Sequence, residues 1–162
     1  MAARILAKYL KGKGRVIEIE GIPGTSAAQE RGMGFNEELR KHPAIGVFSR
    51  EVANFDRKEA REIMRHLLQN GTQFDGIFAH NDNMILGAIE AFEELKIPMP
   101  RVLIGFDAIR ESVQAVNQGR LTATIAQKPE TMGRLSIEIV TGYFRGEELP
   151  SIIPVELSLV TQ

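Results

Sequence analysis

The chain has 162 residues, a length that suits about one domain with a self-sufficient core. With 43% hydrophobic and 25% charged residues and a net charge of −1, it is not a disordered chain, and it lacks the basic excess of a nucleic-acid or anionic-membrane binder. It has no cysteine, which excludes disulfides, thiolate chemistry and cysteine-ligated metal sites, and no run of about 18 apolar residues to span a bilayer.

The first segment, MAARILAKYLKGKGR, places Ile5, Leu6, Tyr9 and Leu10 at helical spacing, and Gly12 and Gly14 close the pattern. Arg4, Lys8 and Lys11 interrupt its apolar residues, so it predicts an amphipathic helix and no export signal, and thus a chain that stays cytoplasmic as expressed. RVIEIEG reads as a strand ended by Gly21-Ile22-Pro23-Gly24. Thr25 or Ser26 caps a helix over about 26–41, with Met33, Phe35 and Leu39 on its core side and His42-Pro43 as its stop. A strand follows from about Ala44 to Val52, then the loop Asn54-Phe55-Asp56 and a helix over 57–70. Gly76–Ala79 is a short buried strand, and His80-Asn81-Asp82-Asn83 a polar loop before a helix over 83–95. Arg101–Phe106 is a strand, Arg110–Asn117 a short helix and Leu121–Ala126 a fifth strand. Pro129 suits the first turn of a helix running to about Phe144, and Val155–Val160 is a last strand.

Strands alternating with helices predict an α/β fold: three layers around a flavodoxin-like, mostly parallel sheet of five to six strands. The expected order is 2-1-3-4-5 with one added edge strand, the crossovers being right-handed. Such sheets bind ligands beyond the carboxyl ends of their strands. Those ends carry Arg31 (at the new helix), Asn54, Phe55, Asp56, His80, Asn81, Asp82, Asn83, Phe106, Asp107, Gln127 and Lys128. Neutral hydrogen-bonders, single charges and two Phe suit a sugar, whose hydroxyls both donate and accept and whose C–H faces lie against aromatic rings. Each residue also has a plainer reading. Phe55 and Phe106 read as core; Asp56, Asp107 and the Asn81–Asn83 run as caps and loop chemistry; Arg31 as a solvated charge; Gln127 as linker.

Enzyme motifs are missing from the same loops. GIPGTS lacks the lysine of a phosphate-binding loop, and Gly32-Met33-Gly34 lies inside a helix rather than after a strand. There is no nucleophile elbow, no paired nucleophile and base, and no metal-ligand spacing beyond the weak pair His80 and Asp82. The chain is therefore expected to be no enzyme and to need no metal or cofactor.

GIPGTSAAQERGMGF, ANFDR, FAHNDNMILGA, IGFD, TATIAQKP and VELSLV occur in this order along the chain. Together they resemble the C-terminal lobe of the periplasmic ribose-binding proteins, the sugar-binding family that serves ABC transporters. The resemblance implies one lobe of a two-lobe fold and a ribose-like sugar as the ligand. It implies ligand contacts from Arg31, Phe55, Asn81, Phe106, Asp107 and Gln127, with Asp107 accepting from adjacent hydroxyls. His80 stands where the family more often has Gln. As partners it implies an N-terminal lobe, which this chain lacks, and a transporter permease, with no nucleic acid. In the family the helix over 129–145 packs on that other lobe. Here its apolar residues, including Leu135, Ile139 and Tyr143, either seek a homodimer by exchanging arms or fold back on their own sheet. An isolated lobe is expected to bind sugar weakly or not at all. The effector-binding lobe of lactose-repressor-type regulators shares the ND and GFD signatures and is the alternative; GTSAAQERG and VELSLV favour the transport family.

Overall fold

In the computed structural model, which describes residues 1–162, β1 (Gly14–Glu20) is an inner strand with Val16, Ile17 and Ile19 fully buried. A parallel strand covered on both faces favours apolar residues on both, as Val16 and Ile17 in succession show, and Glu18 is the one buried polar exception. It pairs in parallel with β2 (Ile45–Val52) on one side and with β3 (Gly76–Ala79) on the other. β4 (Val102–Asp107) and β5 (Ala123–Ala126) continue the parallel sheet. The last strand, β6 (Ser158–Thr161), runs antiparallel to β5 at the edge. The order β2-β1-β3-β4-β5-β6 is the one expected, with the added strand at the β5 end. β6 starts later than its sequence signal: Val155–Leu157 pair with nothing, and Ser158 is the first residue in register, opposite Ala126.

One face of the sheet is covered by α1 (Ala2–Tyr9) and α2 (Ser26–Leu39), which bury Leu6, Leu10, Phe35 and Leu39 against Val16, Phe78 and Ile104. Phe35 stacks on Phe78 with ring centroids 4.5 Å apart. The other face is covered by α3 (Arg57–Gln69), α4 (Asp82–Leu95) and α5 (Arg110–Asn117). Met33, expected on the core side of α2, is instead 59% exposed. It lies two residues from Phe35, about 200° around the helix, so both cannot face the sheet; Ala28, Phe35 and Leu39 take that side.

α6 (Pro129–Phe144) leaves the body of the molecule after β5, ends one residue short of 145, and returns through an extended segment to β6. It buries only Gly142, and Ile137, Val140, Tyr143 and Phe144 are exposed. Of the two arrangements expected for this helix, folding back on its own sheet is not the one adopted.

Candidate functional site

β1 is followed by β2 on one side and, later in the chain, by β3 on the other, so the sheet reverses direction between β1 and β3. The loops leaving the two strands diverge there and open a crevice at their carboxyl ends. The six residues singled out from the sequence converge at this end. Arg31 is their hub, in the second turn of α2. Its Nη2 donates to Asp107 Oδ1 at 3.1 Å and its Nη1 to the backbone carbonyl of His80. Its guanidinium lies 4.0 Å from the centroid of the Phe106 ring and 5.8 Å from that of Phe55. Gln127 Nε2 donates to the same Asp107 oxygen at 2.7 Å. Asn81 Nδ2 donates to the Phe55 carbonyl at 3.3 Å, while Asn81 Oδ1 caps α4 by accepting from the Met84 N–H.

Two of the loops hold non-glycine residues in the left-handed region, with φ of 50° at Asn54, 62° at Phe55, 111° at Asp107 and 54° at Ala108. Such backbone persists only where its surroundings over-determine it, and it concentrates at binding sites. At Phe55 the support is steric. Gly21, at the end of β1, presents a bare backbone to the ring, and a Cβ there would meet the ring at 2.0 Å. At Asp107 the support is polar. Thr124 Oγ1 accepts from the Ala108 N–H at 3.2 Å and donates to Asp82 Oδ1 at 2.7 Å, while Asp82 Oδ2 accepts from the Ile109 N–H at 2.9 Å. Burial pushes the Asp82 carboxyl up to about 6, against the hydrogen bonds from Thr124 and Ile109, which favour its charge.

On the opposite side of β3, His80 anchors the loop from below. Its Nδ1 accepts from the Gly21 N–H at 3.3 Å and its Nε2 faces the fully buried Glu18 at 3.1 Å. Glu18 is held in turn by Asn36 and Arg50. A cavity of about 290 Å3 opens beside this network between Gly21, Gly24, Gly32 and Asn36, and none of the six candidate residues lines it. His80 and Asp82 engage different partners on the two faces of the sheet and form no common ligand set.

Several of the plainer readings are settled by these contacts. Asp56 caps α3, accepting from the Lys58 and Glu59 N–H groups, and takes no part in the cluster. Asp107 caps nothing, and the side chain that reaches the start of α5 is Asp82. Arg31 is no solvated surface charge, its side chain being only 14% exposed. Phe106 belongs to both the core and the cluster: it is 8% exposed, packs in the α1–α2 core and carries Arg31 on its face. Sequence reasoning missed Glu18 and Thr124, because a polar residue inside a strand gives no sign of which partner will satisfy it.

The model of the periplasmic binding protein domain matches residues 1–148. Over its whole length the chain is 39% identical to the ribose import binding protein RbsB of Haemophilus influenzae and 36% identical to that of Bacillus subtilis. It spans 54% and 52% of those proteins, about half their length. Among solved structures, a solute-binding protein from Actinobacillus succinogenes with bound D-allose superposes with a TM-score of 0.89 at 30% identity, over 98% of this chain and 56% of that one. A solute-binding protein from Bacillus halodurans with bound myo-inositol gives a TM-score of 0.87, also at 30% identity, over 98% and 55%.

Proposed function

Since the chain belongs to the periplasmic binding protein domain family, we propose that it is the C-terminal lobe of a two-lobe protein that captures ribose for an ABC transporter. The observation that carries this reading is the state of Asp107. One carboxylate oxygen accepts from both Arg31 and Gln127, so the side chain is already fixed, while Oδ2 remains for sugar hydroxyls. A site of preset donors and acceptors flanked by Phe55 and Phe106 matches the alternating hydroxyl and C–H surfaces of a pentose. Arg31, Phe55, Asn81, Phe106, Asp107 and Gln127 are the proposed contacts, Asn81 offering its amide from the start of α4. The relatives named ribose import binding proteins support ribose as the sugar, and bound D-allose and myo-inositol in the structural neighbours support a polyol site. A permease and a second lobe are the proposed partners, and the chemistry is capture and release, not catalysis.

This lobe contributes half of such a site. A closed two-lobe site binding at about −8 kcal/mol is near micromolar. Half the contacts give much less than half the affinity, because the cost of immobilising the sugar is not halved. Calorimetric titration of this chain with D-ribose is expected to give a millimolar or weaker constant. A micromolar constant for a monomer overturns the half-site reading.

A further inference from the structure

Asp82 is fully buried at the first position of α4, yet its carboxylate serves the loop after β4. Oδ2 binds the Ile109 N–H directly, and Oδ1 receives the hydroxyl of Thr124, whose oxygen binds the Ala108 N–H. Between them, Asp82 and Thr124 hold both backbone amides that follow Asp107. The backbone just before these amides is the strained part of the loop, with φ of 111° at Asp107 and 54° at Ala108. Gly105 makes the approach feasible: a Cβ there would sit 2.1 Å from Asp82 Oδ1. The loop therefore rests on a carboxylate that is itself out of reach of a ligand.

We propose that Asp82 is a positioning residue of the sugar site: ionised, and acting through Thr124, it holds residues 107–109 in the turn that aims Asp107 at Arg31 and Gln127, and neutralising it releases that turn. The effect on sugar rests on the function proposed above; the effect on the loop rests on the geometry alone. The charged group facing Asp82 is Asp107, whose field also disfavours its ionisation. From β5 and α5 the groups near it are the hydroxyls of Thr124 and Ser112. The Ser112 hydroxyl is buried, makes no well-aligned hydrogen bond, and lies near enough to Asp82 to favour its charged form. A neutral Asp82 can donate its proton to that hydroxyl, and the oxygen carrying the proton is then a poor acceptor for Ile109 or Thr124. Two hydrogen-bond arrangements thus exist for one loop, and the proton selects between them.

Amide NMR of the wild-type chain from about pH 4 to pH 8, with carbon detection of the Asp82 carboxyl, tests this across the range where a raised carboxyl titrates. The backbone amides of Ala108 and Ile109 and the side-chain amide of Gln127 should shift together with Asp82, and exchange at Ala108 and Ile109 should quicken at least about tenfold on its protonation, with β1 amides unaffected. Asp82→Asn should show the fast exchange throughout and lose the pH dependence. Thr124→Val should free Ala108, and Thr124→Ser should restore it. In a two-lobe protein carrying this lobe, D-ribose should bind about tenfold more weakly to Asp82→Asn than to wild type. If Ala108 and Ile109 do not follow Asp82 in the wild type, or Thr124→Val leaves Ala108 protected, the positioning role is wrong, whether or not Asp82→Asn folds. If ribose binds Asp82→Asn and wild type alike, the role is also wrong. If the two-lobe wild type does not bind ribose while the loop follows Asp82, the ribose assignment fails and the positioning role stands.

Discussion

Asp107 and Arg31 are bound to each other, with side chains 28% and 14% exposed. Because the desolvation of two partly buried charges offsets their attraction, the pair adds little to net stability, but each partner loses its orientation when the other is removed. In a two-lobe protein carrying this lobe, Arg31→Ala and Asp107→Ala should each weaken ribose binding by on the order of 2 kcal/mol, because closure leaves polar groups of sugar and protein unpaired. The melting temperature of Arg31→Ala should barely move. Unchanged affinity in both variants removes these residues from the site. Asp82 makes the opposite kind of contribution to stability. Its folded pKa, about 6, lies above the ordinary value of 3.8, so the folded chain holds this proton more tightly than the unfolded chain. Its favourable share of stability is complete below the ordinary value and is lost as pH rises through the raised one, a swing on the order of 3 kcal/mol. Asp82→Asn has no such proton. In urea unfolding, the stability of wild type relative to Asp82→Asn should fall from about pH 4 to pH 7. A constant difference across that range shows that Asp82 does not titrate there.

At the scale of elements, the caps divide fold from function. Asp56 sits one residue beyond Phe55 and carries the same charge as Asp107, but both its contacts are to the first amides of α3. Asp56→Ala should cost about 1 kcal/mol in unfolding free energy and leave ribose affinity unaltered; a loss of affinity without a loss of stability makes it a ligand instead. The sequence shows the type of each element because β-branched runs, 3/4 spacing and Gly or Pro stops are local signals. It also shows the edge of the sheet where chemistry gathers, because βα alternation fixes which loops share an end. It does not show why Gly87 is glycine: a Cβ there would meet the Arg57 carbonyl at 2.1 Å, a contact made only when α3 lies on α4. Met33 is different: Phe35 and Leu39 stand four apart and share a face, while Met33, two residues from Phe35, falls on the other side, so the helical period itself excludes it from the core. Asp82 reads as one more polar loop residue beside Asn81. Its meaning depends on Thr124 and Ile109, 42 and 27 residues away, and only the packed sheet brings them together.

The whole molecule is a finished body with an unfinished flank. The sheet is covered on both faces by five helices, while α6 and the segment after it present Ile137, Tyr143, Phe144 and Ile152 at 70%, 63%, 82% and 80% exposure. Side chains of this kind clustered on one flank favour association over hydration. In the function proposed above the second lobe covers them. For this chain by itself, the available cover is the same flank of another copy, and both ends of the excursion suit an exchange, since β5 and β6 are held to each other by only four residue pairs. An exchanged β6 rebuilds those pairs between two copies and buries both α6 faces at low cost. Sedimentation at tens of micromolar is therefore expected to give a dimer, and a single species of 18.0 kDa defeats that expectation. Ile137 is the residue to alter. It is more exposed than the half-buried Ile139, so Ile137→Glu costs the isolated chain little. The variant should sediment as the monomer with an unchanged far-UV spectrum. If it remains dimeric, the contact lies elsewhere; if its helical signal collapses, α6 depends on a partner for its own structure.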